Sequence, residues 1–174
     1  MPNRFLDARK ALEVFLFITE KEHDLRRVMK YLYFADKLHM DRYERFITGD
    51  YYVKMEQGPV PSGAYDIAKL VRGDEQYFED RIVQLEPEKS LSFKHRYNFI
   101  PKRKPDLDYL SVSDIECLSE TIEKLKTLTD LQLINLGHDE VAWKEANLND
   151  RMDEEKIILS LPNGKKILEF MNAD

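Results

Sequence analysis

Seven residues of this chain stand out as candidates for metal binding or proton transfer: Asp36, His39, Asp50, Asp66, His138, Asp139 and Glu140. Asp36 and His39 are three apart, so a helix would turn both toward one side, and Asp139 and Glu140 adjoin His138. Such a set could ligate a divalent ion or pass a proton. Its spacing matches no zinc signature, since neither HExxH nor a paired CxxC occurs. The phosphate loop GxxxxGK[ST], the dinucleotide loop GxGxxG and the hydrolase elbow GxSxG are absent as well. The sequence therefore calls for no cofactor and no metal. A metal-dependent hydrolase or transferase using Asp36, His39 and His138 stands as an alternative. The competing role for Asp36 and His39 is partial burial, with hydrogen bonds to the backbone of the loop from Ile47 to Ser62, because buried polar side chains find such partners.

The stretch MEQGPVPSGAYD raises a second question of chemistry, that of recognition. Pro59 and Pro61 fix two φ angles, remove two donors and hold the residues before them extended. Gly58 permits a sharp bend or a close backbone approach, and Ser62 can cap a helix that leads to Tyr65. The stiff segment Gly58, Pro59, Val60, Pro61 is thus either a structural corner or a preorganised loop facing a partner, which would lose little entropy on binding. Trp143, the only tryptophan, is either an interface anchor or a core side chain.

These residues need elements to hold them. Ala8, Leu12, Phe15 and Leu16 recur at helical spacing, predicting a first helix from about Leu6 to Glu20. Asp24 caps a second, in which Leu25, Val28, Met29, Leu32 and Ala35 form the apolar stripe; continuing that stripe brings Asp36, His39 and Tyr43 onto the same face. After the turn signal Gly49-Asp50 a short strand is expected near Tyr52 to Glu56. Alternation from Phe93 to Ile100 predicts a half-buried strand, with Arg81 to Glu86 as its partner, and all three could join in one small antiparallel sheet. Ser113 and Glu116 form a capping box for a later helix, with Ser111 and Asp114 as the alternative. Further helices follow Thr129 and Pro162-Gly164. The expected fold is α+β: one domain over residues 1–174, mainly α-helical with a small antiparallel β-sheet. It divides into N-terminal helices and the GPVP stretch (1–73), a β-hairpin (80–101) and an acidic helical part (106–174).

At 174 residues and 43% apolar content the chain can bury one core. Its apolar runs, such as Val14 to Ile18, are far shorter than the roughly 20 residues that cross a bilayer. Acidic and basic residues interleave through MPNRFLDARKALEVF, unlike a signal peptide, so the expectation is a cytoplasmic protein with no membrane partner. Cys117 stands alone, which excludes an intramolecular disulfide, and is read as structural. The net charge of −6 disfavours general nucleic-acid binding. From Asp106 to Glu155 there are 14 acidic residues against Lys124, Lys126, Lys144 and Arg151, a balance of −10. Just before lies the basic cluster Lys94, His95, Arg96, Lys102, Arg103 and Lys104. Such segregation is either solvated surface or a docking face for a basic partner, with Glu120 and Glu123 as its candidates. A nucleic-acid-binding regulator working through the basic cluster is a third possibility.

The run KYLYFADKLHMDRYERFITGDYYVKMEQGPVPSGAYD, Lys30 to Asp66, resembles the Panacea, or SocA-like, domain family. The resemblance rests on Leu32, Tyr33, Phe34, Ala35, His39, Tyr43, Ile47, Gly49, Tyr52, Gly58, Pro59, Val60, Pro61 and Tyr65, and LSVSDIECL and HDEVAWKEA resemble the family's second half. Met55-Glu56-Gln57 departs from it, since family members often carry a basic or aromatic residue before the glycine. What the resemblance implies is a non-catalytic antitoxin that binds and neutralises a cognate protein toxin of a bacterial or phage toxin-antitoxin system, or an adaptor that delivers the toxin to a protease. It also implies that Tyr33, Phe34, Asp36, His39, Tyr43, Gly49, Tyr52 and His138 build a shared scaffold rather than select the target.

Overall fold

A computed structural model describes residues 5–173; Arg4, the first of the interleaved charges, lies outside them. Helix α1 (Ala8–Thr19) begins where the Asp7 carboxylate accepts from Lys10 N at 2.9 Å. Helix α2 (Leu25–Tyr43) begins the same way, with Asp24 accepting from Arg26 N, and ends at Glu44 in the left-handed region. Both helices bury residues around most of their circumference, because each is covered on several sides. α2 is the axis of the molecule, packing against α1, α5 (Val112–Leu125), α6 (Asp130–His138) and α8 (Glu154–Leu159).

Strand β1 (Tyr52–Met55) pairs antiparallel with β2 (Gly58–Pro61), Val53 opposite Val60. GPVP is therefore a strand of a tight hairpin rather than a loop. Prolines at alternate positions point both missing N–H groups toward the same edge, away from β1, so the ladder keeps its donors. The other edge of β1 is occupied too: Lys54 N donates to Asp150 O, Asn149 N to Lys54 O and Met152 N to Tyr52 O, at 2.8–3.0 Å.

The second hairpin corrects the expectation for 80–101. β3 (Leu91–His95) pairs with β4 (Asn98–Pro101) and the chain reverses at Arg96-Tyr97, inside the stretch expected to be one strand. Arg81 to Glu86 is no strand: Asp80–Val83 is the short helix α4, which buries Ile82. The two hairpins form separate two-stranded sheets, not one. β4 and its turn dock on the start of α2, where Phe99 N donates to His23 O and Leu25 N to Tyr97 O.

Helix α3 (Ser62–Arg72) follows GPVP directly. α5 is capped by the Ser111–Asp114 box and not by Ser113–Glu116, and α6 by the Thr129–Gln132 box. Helices α7 (Val141–Glu145), α8 and α9 (Gly164–Met171) complete the described chain. One apolar cluster joins α1, α2, α3 and α5; a second gathers Tyr33, Met40, Tyr52, Met152 and Ile158, and Phe34 on α2 packs against both. The architecture is mainly helical α+β. Among the described residues no helix is long and apolar enough to cross a membrane.

Candidate functional site

The polar face of α2 is consumed by the fold. Asp36 is fully buried; its Oδ1 accepts from Ile47 N at 2.7 Å and its Oδ2 from the Tyr52 hydroxyl. His39 is equally buried and donates from Nδ1 to Arg45 O at 2.8 Å, which leaves Nε2 to accept from the Ser113 hydroxyl at 2.9 Å. Burial pushes the imidazole pKa down and keeps the ring neutral. The backbone partners expected in the loop from Ile47 are thus present for Asp36, whereas His39 reaches Arg45, just upstream. Behind it Asp114 takes Lys10 Nζ at 2.6 Å, Arg45 Nη2 at 3.0 Å and Ser111 N at 2.8 Å. Burial raises the Asp114 pKa, but Lys10 and Ser111 outweigh it and hold the carboxylate below the usual range. Tyr43 is exposed and donates to Glu116 at 2.9 Å.

Gly49 turns the chain at φ 72 and places Asp50 under the start of α3. There the buried Asp50 carboxylate accepts from Gly63 N at 2.9 Å and Ala64 N at 3.0 Å, the capping role expected of Ser62, which makes no such bond. His138, Asp139 and Glu140 do not meet Asp36 or His39 in a shared site. His138 donates to Glu56 O at 2.8 Å; Glu140 accepts from the Tyr33 hydroxyl and from Lys37, both at 2.7 Å. Among the described residues no group of three or more His, Cys, Asp or Glu is placed to hold a metal ion. Cys117 is buried, and desolvation pushes its thiol up to about 11.

What the structure does assemble is a clamp on the GPVP hairpin. Trp143 donates from Nε1 to Met55 O at 3.0 Å and stacks on His138, ring centroids 4.1 Å apart, with Lys54 Nζ 4.2 Å above the indole. Gly58, Pro59 and Pro61 are buried, Gly58 at φ 126. Gly137 meets them so closely that a Cβ there would lie 3.0 Å from the Pro59 ring. These residues were legible singly, but their meeting was not.

Beside the clamp, Val60 and Tyr65 line a cavity of about 220 Å³, together with Leu25, Met29 and Tyr97. Arg26 and Lys30 are its cationic members, and nothing in the sequence marked Lys30, which is 5% exposed and donates to Arg26 O at 3.3 Å. Glu120 and Glu123 line neither clamp nor cavity. Glu120 is held by Arg42 at 2.6 and 2.9 Å, and Glu123 pairs with Lys126 at 2.5 Å.

The clamp thus ties the two halves of the chain into one scaffold, and the family model described as antitoxin SocA-like, Panacea domain, matches residues 28–144, which hold both. The chain belongs to this family. The Panacea match begins inside α2 and stops inside α7, so it takes in the Asp36 and His39 hubs, GPVP and the clamp, while α1, α8 and α9 lie outside. Searches of curated proteins and of solved structures return no match.

Proposed function

We propose that this Panacea chain is an antitoxin that neutralises a protein toxin by binding it, without catalysis. The observation that carries this reading is that the Panacea match covers a region whose chemistry-bearing residues are already engaged in holding the fold. With Asp36, His39 and His138 committed to backbone and side-chain partners, the geometry supports recognition by surface shape and charge. The binding surface proposed is the flank of the GPVP hairpin, where Val60 and Tyr65 face a cavity, with the acidic face around Glu120 and Glu123 steering encounter.

The test is growth of a bacterium induced to express the neighbouring open reading frame, with and without this protein, followed by copurification of the two. Growth arrest relieved by co-expression, with a stable pair recovered, is the expected result. A harmless neighbour, or relief with the toxin chemically altered and no pair formed, would overturn the reading.

A further inference from the structure

Lys30 is a buried cation whose cationic neighbours Arg26 and Arg27 are matched, and the one carboxylate lining its cavity, the exposed Glu56, forms no ion pair with it among the described residues. Arg26 pairs with Asp24 at 2.7 Å, and Arg27 with Glu22 at 2.9 Å and Asp130 at 2.8 Å. Among the described residues no carboxylate forms an ion pair with Lys30, and of its three donors one reaches a backbone carbonyl, at the long distance of 3.3 Å. Burying an ammonium group without a counter-charge is unfavourable, so a fold that keeps one there gains when a carboxylate arrives. The surroundings admit one. Lys30 lines the cavity of about 220 Å³ whose walls are Leu25, Met29, Val60 and Tyr65. At about 30 Å³ per water, that space equals roughly seven waters. It suits one or two side chains and is small for a drug-sized ligand, whose pockets start near about 300 Å³. Burial also pushes the Lys30 amine down to about 8, more than the nearby Asp24 and Asp130 carboxylates offset.

We propose that this cavity is the receptor for an acidic anchor on the toxin: an Asp or Glu side chain that reaches Lys30, with an apolar neighbour packed against Met29, Val60 and Tyr65. This rests on the antitoxin reading and names the chemistry of its contact. It also gives Val60 and Tyr65 a role that their half-buried positions beside the clamp leave open.

The experiment compares wild type with Lys30→Met, which keeps the length of the side chain and removes its charge, against the product of the neighbouring open reading frame. The expected result is a melting temperature equal to or above wild type, since a buried charge is replaced by an apolar group, with affinity lower by about tenfold or more. Alanine scanning of the toxin's acidic residues should then find one whose loss is not additive with Lys30→Met. Affinity within about twofold of wild type would overturn the anchor and leave the antitoxin reading standing. A fall in melting temperature would make Lys30 a structural residue and overturn it as well. If the neighbour's product neither arrests growth nor binds wild type, the antitoxin reading falls and the anchor falls with it.

Discussion

Asp50 shows a buried carboxylate capping a helix from outside that helix. Burial raises its pKa to about 6, against the backbone donors Gly63, Ala64 and Tyr51 that favour the charged form. A carboxyl group with a raised folded pKa binds its proton more tightly in the folded chain. Its contribution to stability is therefore complete below the unfolded value near 3.8 and is lost as pH rises through about 6. Asp50→Asn removes this titration, so in urea unfolding the wild type should lose about 1 kcal/mol relative to the variant between pH 5 and pH 7.5. Parallel pH profiles would show that Asp50 ionises as freely in the folded chain as in the unfolded one. Glu13 has the opposite sign: burial raises its pKa, Arg103 and the Asp106 backbone outweigh that, and its contribution is lost as acid protonates it. The local cap at Asp24 was legible in the sequence because cap and helix are adjacent. The Asp50 cap was not, because its partners lie 13 and 14 residues away.

Between elements, α6 approaches β2 with little room to spare. Gly137→Ala places a methyl group 3.0 Å from the Pro59 ring and 3.5 Å from Gly58 Cα, neither of which can rotate aside. Alanine favours a helix over glycine by about 1 kcal/mol, but overpacking a well-fitted contact costs about 1–3 kcal/mol. The variant should melt below wild type, and an equal or higher melting temperature would show that the two elements separate freely. The register with β1 explains why GPVP did not read as a strand: prolines argue against one unless their missing donors all face outward, and pairing decides that. The second hairpin was hidden for another reason. Arg96-Tyr97 carries no glycine, proline or asparagine to mark a reversal, while the signal at Pro87 belongs to a single turn of 3₁₀-helix at Pro87–Lys89. At α5 both Ser111–Asp114 and Ser113–Glu116 fit a capping box, and what settles the choice is long-range: Ser113 is taken by His39, and Asp114 by Lys10 and Arg45.

For the molecule as a whole, Trp143 is a reporter placed at the seam between the two halves. Because its indole donates to Met55 and stacks on His138, its fluorescence follows the docking of the second half onto the first. If the two apolar clusters joined through Phe34 unfold together, fluorescence and far-UV circular dichroism should give one coincident urea transition. An earlier fluorescence transition would mean that the clamp opens before the helices melt. The charge segregation belongs to this scale as well: Glu120→Lys with Glu123→Lys should slow association with a basic toxin and flatten its salt dependence, since long-range attraction mainly sets the encounter rate. Unchanged kinetics would make that surface a solvated one, its charges spent on Arg42 and Lys126. Finally, β1 has one edge closed by β2, which leaves the ribosome at once, and the other by residues 149–152, which arrive roughly a hundred residues later. At about 5 to 20 residues per second, the nascent chain carries an open strand edge for several seconds. Translation that stalls in that interval yields a chain whose β1 keeps one edge uncovered, so completion of this edge is tied to uninterrupted synthesis.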